Sequence, residues 1–211
     1  MRICLIGAIA GILFLKGLGG SFRVADAPSI SLFYPVPLLE NACLQLRPWA
    51  EFDQDQLKNI FYEIDFTFML FESTESSWQS LFDLLIQGEH QGTIGVWAIT
   101  LQSSSELIGL CWYWNLNRKN ASGELTLFLK SNQTQKGFGT HVISLIVHYL
   151  FQQGLNRLSA TAHPDNLSSI KILKKNGFKE VELIKESHYY KGAYHDRILM
   201  TLLKNDFIFF K

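Results

Sequence analysis

Only three cysteines occur in 211 residues: Cys4, Cys43 and Cys111, an odd number with no CxxC pair and no Cys/His spacing suited to a metal. That scarcity argues against a disulfide framework and a structural zinc, and reads all three as small buried hydrophobes in a reducing compartment. An excess of one charge is missing too. Lys+Arg and Asp+Glu each number 19, so the formal net charge is zero and nothing suggests a surface that coats nucleic acid. Any anion site must therefore be local. The chain has no internal repeat and no low-complexity tract. It also lacks a Gly-Lys-Ser/Thr phosphate loop and a three-glycine dinucleotide fingerprint.

Long apolar runs are short of a membrane span. Arg2 is followed by Ile3 to Leu15, 13 uncharged residues, and then Lys16, where a spanning helix needs about 20. The pattern is that of the first two regions of a signal peptide, of an anchor, or of a translation start assigned too far upstream. Residues 1–35 are accordingly read as an N-terminal hydrophobic extension. The folded domain is placed at 36–211, after the structure-breaking Tyr34-Pro35-Val36-Pro37. With 47% hydrophobic and 18% charged residues that domain is expected to be globular.

Periodicity predicts the elements. Leu44 to Pro48 alternates as a strand. Asp53 to Glu63 carries Leu57, Ile60 and Phe61 on one helical face, and Ser76 to Gln87 carries Trp78, Leu81, Phe82, Leu84 and Leu85 on another. Strand patterns follow at Thr93 to Leu101, Leu107 to Trp114 and Glu124 to Leu129, then an apolar helix at Val142 to Phe151 stopping before Gly154. Arg157 to Ala162 reads as a strand, with His163 ending it. Leu167 to Lys175 reads as a short helix with Lys171, Lys174 and Lys175 outward, closed by Asn176-Gly177. Val181 to Glu186 and Arg197 to Leu203 read as a final antiparallel pair. The order implies a mixed, mostly antiparallel α/β (α+β) sheet flanked by helices. Trp97, Trp112 and Trp114 are expected in the core, with Trp112 to Trp114 and Tyr189 to Tyr194 as a second possibility for the wall of an acceptor pocket. His141 and His148 lie seven apart on one helix without a third ligand in register, so no metal is expected.

Chemistry concentrates where the Glu124 strand runs into Gln135-Lys136-Gly137-Phe138-Gly139-Thr140. Two glycines at a helix start let the backbone turn tightly and aim unpaired amides, with the positive end of the helix dipole, at an anion. Lys136 adds a charge beside them. A glycine pair alone is more often structural than functional. One strand later comes Asn166-Leu-Ser-Ser169, ending in Asn176-Gly177-Phe178, and that pairing is far more specific. Together they closely resemble the GNAT acetyltransferase superfamily. Leu46-Arg47-Pro48 and Tyr190-Lys-Gly192-Ala-Tyr-His-Asp196 resemble its RimJ/RimL-type members, the ribosomal-protein alanine N-acetyltransferase type.

The resemblance implies a GNAT acyl-CoA N-acyltransferase fold, a cytoplasmic setting unless residues 3–15 are kept as a membrane anchor, and acetyl-CoA as cosubstrate without a metal. The acceptor it implies is a primary amine, on a protein N-terminus or a small molecule, attacked directly in a ternary complex. Monomer and homodimer stay open. The diphosphate is expected on amides of Gln135, Lys136, Gly137, Phe138, Gly139 and Thr140, and the pantetheine arm along the backbone of Leu127, Phe128 and Leu129, with Asn166 and Ser169 completing the cofactor set.

Two departures from the family pattern stand out. Thr134 sits where Gln or Arg opens the loop, and Leu173 where many relatives have a tyrosine that protonates the leaving thiolate. Ser169 becomes the candidate for meeting the sulfur. For a base, His188 occupies a place that holds a carboxylate in some relatives, and its alternative is a lining residue with no proton to move. Glu124 is the rival base through a water, or a solvated strand-end charge. Asp196 either holds the last hairpin or orients His188. These departures also keep alive a catalytically silent GNAT-fold protein that holds CoA as a sensor or scaffold.

Overall fold

The computed structural model describes residues 35–63 and 74–209. Eight strands form one sheet, and four helices pack on it. In chain order the elements are β1 (Leu39–Glu40), β2 (Leu44–Pro48), α1 (Gln54–Glu63), α2 (Glu75–His90), β3 (Gly95–Leu101), β4 (Leu107–Asn117), β5 (Ser122–Leu129), α3 (Phe138–Gln152), β6 (Arg157–Ala162), α4 (Leu167–Lys175), β7 (Lys179–Tyr190) and β8 (Ala193–Leu203). The spatial order is β1-β2-β3-β4-β5-β6-β8-β7. The hydrophobic N-terminal stretch, Ile3 to Leu15, lies outside the described residues. Among the described residues no helix is long and apolar enough to cross a membrane.

Side-chain alternation along the strands divides the interior in two. Leu46, Trp97, Cys111, Tyr113, Leu125, Leu158, Met200 and Leu202 face α3 and α4. Val96, Ala98, Leu110, Trp112 and Phe128 face α1 and α2. With apolar layers on both sides, β3 is buried from Gly95 to Thr100, as a central strand covered on two faces must be. α3 is the best-anchored helix. Val142, Ile146, Val147 and Leu150 have no exposed surface, and each such side chain contributes roughly 1.5–3 kcal/mol on burial. The glycine loop is therefore tied to a rigid element.

Every neighbouring pair of strands is antiparallel except β5 and β6. That parallel pair is joined only over Ser122–Glu124 and Arg157–Ser159, with the Ser159 hydroxyl donating to the Gly123 carbonyl at 3.4 Å. Beyond it β5 stays on β4 as far as Leu129 and β6 stays on β8 as far as Ala162. The two strands therefore part, leaving a wedge whose inner edges carry backbone groups with no ladder partner across the gap.

Five expectations are corrected. Leu84 of α2 is exposed, whereas Trp78, Leu81, Phe82 and Leu85 of the same helix are buried. Cys43 is exposed, in a turn where its amide donates to the Asn41 side chain at 2.9 Å, whereas Cys111 is fully buried and burial pushes its thiol pKa up. Trp114 is exposed: it lies where β4 leaves the core, next to Asn115 with φ of 48°. α3 begins at Phe138, a turn before its apolar run. The last two strands extend much further than their alternating segments, because bulges in β7 shift its register between Glu180 and Glu182 and again between Ile184 and His188.

The Leu46-Arg47-Pro48 segment has a structural explanation. Arg47 makes a two-pronged pair with Asp53, at 2.7 and 2.6 Å, and the same carboxylate accepts the Ala50 amide at 2.8 Å. Asp53 is almost wholly buried, so this pair fixes the turn from β2 into α1. The hydrogen bonds it donates to Asp53, reinforced by the carboxylate charge, raise the Arg47 pKa.

Candidate active site

The wedge opens into a cavity of about 520 Å³ between the end of β5, the loop before α3 and one face of α4. One wall is the glycine loop. Gly137 precedes α3 with φ of 87° and supplies no capping side chain. Gln135, two residues earlier, is also in the left-handed region at 59°. Such alternation curls successive amides toward one point. Among the described residues no protein acceptor meets the amides of Phe138 and Gly139, which the first turn of any helix leaves without a partner.

Gly139 has a separate role. A Cβ there would lie 2.7 Å from Ile172 Cδ1 of α4 and 3.5 Å from Leu127 of β5, so the bare backbone brings three elements together at the cavity floor. Asn176 ties the same helices, donating from Nδ2 to the Ile172 and Thr140 carbonyls at 2.9 and 3.3 Å.

Of the residues expected to hold a cofactor, Leu127, Leu129, Gln135, Gly137, Gly139, Thr140 and Ser169 line this cavity. The Phe128 side chain turns to the other face, against Trp112 at 5.0 Å between ring centroids, so any part it takes is through its backbone. Phe138 is partly buried against the main core. Lys136 reaches back to donate to Gln133 at 2.9 Å. Asn166 caps α4, its Oδ1 accepting from the Ser169 amide at 3.1 Å and from the Ser168 hydroxyl at 2.9 Å. The lining also includes polar side chains that were not singled out from the sequence as site residues, among them Gln133, Ser168, Lys171 and Lys175. The two lysines correct an expectation, for the face of α4 read as solvated is in part a cavity wall. Among the described residues no aspartate or glutamate lines it.

The proposed proton-handling groups sit on the other side of the sheet. Glu124 alternates with Leu125 and so faces the α1/α2 side. It stands opposite Trp114 on β4 and Ser159 on β6, at the last residue before the strands part, and accepts from Asn115 Nδ2 at 2.6 Å. Along β8, Met200 and Leu202 point to the α3/α4 core, which puts His195 and Arg197 on the same side as Glu124. His188 pairs with His195 across the hairpin and shares that side. Its Nδ1 is 2.9 Å from the Ser187 hydroxyl. Burial first, and the Arg197 charge second, lower its pKa below the usual histidine value, while burial lowers that of Arg197. Asp196 does not orient His188: its carboxylate accepts the Glu186 amide at 2.8 Å and so holds the bulge in β7. His163 follows β6, its Nδ1 accepting the Asp165 amide at 3.1 Å. Among the described residues no group of three ligating side chains could hold a metal.

The cavity thus lies on the α3/α4 side of the sheet, whereas Glu124, His188, His195 and Arg197 share the α1/α2 side. An extended ligand entering from the α3/α4 side can put its reactive end at the parting of β5 and β6, where a second molecule arrives from the α1/α2 side.

The sequence model of the acetyltransferase (GNAT) domain matches residues 44–179. The chain is 27% identical to the uncharacterized N-acetyltransferase YoaA of Bacillus subtilis over 172 residues, covering 80% of this chain and 97% of that one. Among solved structures it superposes on ribosomal-protein-S5-alanine acetyltransferase from Vibrio fischeri with a TM-score of 0.69 and 22% identity, over 81% of this chain and 98% of that one. It also superposes on spermidine N-acetyltransferase from Vibrio cholerae, solved with CoA and spermine, with a TM-score of 0.71 and 21% identity, over 79% and 98%. The two superpositions speak to the fold alone.

Proposed function

The chain belongs to the GNAT acetyltransferase family, and from that premise we propose that it transfers the acetyl group of acetyl-CoA directly to a primary amine in a ternary complex. The observation that carries this reading is the wedge: two parallel strands that part after three residues, opening beside a glycine-turned helix start.

Each part of the cosubstrate has a matching surface. The amides of residues 135–139 and the N-terminus of α3 suit a diphosphate, whereas the Thr140 amide already donates to the Gly137 carbonyl at 3.0 Å. The inner edge of β5, Leu127 to Leu129, suits the amide-bearing pantetheine arm as an added strand. Gly139 lets α4 close on that arm. The thioester then lies near the wedge, within reach of the first turn of α4. There the Ser169 hydroxyl and the positive end of the helix favour the departing thiolate. Leu173 is buried in the core, so the position that carries a tyrosine in many relatives offers no proton.

On the acceptor side the amine arrives as an ammonium ion and must lose a proton before its lone pair attacks the carbonyl carbon. That first proton goes to His188, directly or through water; once the C–N bond has formed, the nitrogen gives up a second proton as the C–S bond breaks, and the departing thiolate takes it up, directly or through water. A lowered pKa keeps its imidazole neutral and receptive near pH 7. Glu124 is held by Asn115 and acts as an electrostatic partner for the incoming ammonium, with exposed Trp114 as a flat surface beside it. The acceptor is a protein N-terminus or a small-molecule amine.

The test is release of CoA thiol from acetyl-CoA against a panel of peptides with free N-termini, polyamines and amino acids. Amine-dependent thiol release, with the acetylated amine found by mass spectrometry, is expected. Tight CoA binding without acetylation of any amine would instead favour a silent CoA-holding protein.

A further inference from the structure

Resting on the acetyltransferase reading, we infer that Lys171 and Lys175 form a subsite for the 3′-phosphate of coenzyme A, so that the protein selects the 3′-phosphorylated nucleotide over its dephospho form. The two residues lie four apart on α4, hence on one face one turn apart, and both line the same cavity as the glycine loop. Their lysine neighbours are engaged elsewhere. Lys174 pairs with Glu180 at 2.8 Å, and Lys136 donates to Gln133. Among the described residues Lys171 and Lys175 meet no acid and no acceptor, and the cavity contains no carboxylate. In a chain whose charges sum to zero, two like charges held together on one face oppose each other unless an anion joins them.

The diphosphate does not account for them, because the loop amides already suit it. A phosphate monoester is a different guest. Its second ionisation lies near pH 6, so at neutral pH it carries close to two negative charges. Two flexible ammonium groups, compact point charges with rotatable donors, match it better than a fixed amide cradle does. A purely structural role exists for Lys175, which sits in the last turn of α4 where the helix dipole favours a cation. Lys171, in mid-helix, has no such reason to be there.

The experiment is calorimetric titration of the full chain with CoA and with dephospho-CoA, for wild type, Lys171→Ala/Lys175→Ala and Lys174→Ala. Wild type is expected to bind CoA about tenfold more tightly than dephospho-CoA, the combined worth of two partly exposed ion pairs. That ratio should fall to about twofold or less in the double variant and stay unchanged in Lys174→Ala. It should also shrink at high salt, and between about pH 7.5 and 5.5 as the monoester takes up its second proton. A change in stability with the ratio intact would mark the lysines as dipole partners and overturn the inference, as would equal affinity of wild type for both nucleotides. Either result leaves the acetyltransferase reading standing. Failure of folded protein to bind either nucleotide would remove both.

Discussion

Replacing Gly137 by alanine tests the phosphate cradle without adding or removing any contact, since a Cβ at that position meets nothing within 4 Å. What changes is the backbone. Gly137 holds φ of 87°, a conformation that costs a residue with a Cβ about 1–2 kcal/mol. The strain has two outlets. If the loop keeps its shape, the protein loses about 1–2 kcal/mol of stability and CoA affinity is unchanged. If the loop relaxes, stability is spared, but the amides of residues 135–139 lose their common aim in the free protein. Apparent affinity then falls by the fraction of molecules still competent, about 5- to 30-fold for the same 1–2 kcal/mol. The two losses are complementary, so urea unfolding and CoA calorimetry on one preparation should sum to about 1–2 kcal/mol. Gly139→Ala is the contrasting case. Its φ is not in the left-handed region, and its new methyl would press the Ile172 side chain toward the cavity, so affinity should fall more than stability. Gly137→Ala with both quantities unchanged would refute the claim that this turn shapes an anion site.

Two further outcomes follow from named residues. His188→Ala should lower the rate of thiol release about 10²–10⁴-fold if His188 is the base, and should remove the acid limb of the rate–pH profile. Because the His188 pKa is lowered, that limb lies below about pH 6.5 in the wild type; retention of both limb and rate would pass the role to Glu124. Asp53→Ala strands the Arg47 guanidinium and the Ala50 amide, and should cost about 2–4 kcal/mol in urea unfolding while the CoA affinity of the folded fraction is kept.

Parts of the molecule with clear local punctuation were legible in the sequence. β6 and α4 are bounded as expected, because Gly154, the Asn166 cap and Asn176-Gly177 mark their ends regardless of tertiary context. Elements whose ends depend on distant partners were not. α2 runs on to His90 through Gln-Gly-Glu, a segment without helical periodicity, and there Glu89 accepts from the Trp49 indole and from the Val96 amide at 3.2 Å. β7 escaped alternation because it is an edge strand with mostly exposed side chains and two bulges. The glycine loop announced itself through spacing, whereas Lys171 and Lys175 read as an ordinary solvated face. Nothing in a single sequence says that α4 leans over a cavity until Gly139 and Ile172 are seen to bring α3 against it.

Initial rates measured with acetyl-CoA and an accepted amine varied together bear most directly on the central claim, that acyl donor and amine meet across the wedge between β5 and β6. Double-reciprocal lines that intersect, with no acetylated protein trapped in the absence of amine, are the predicted result. Parallel lines together with an isolable acetyl-enzyme would contradict it.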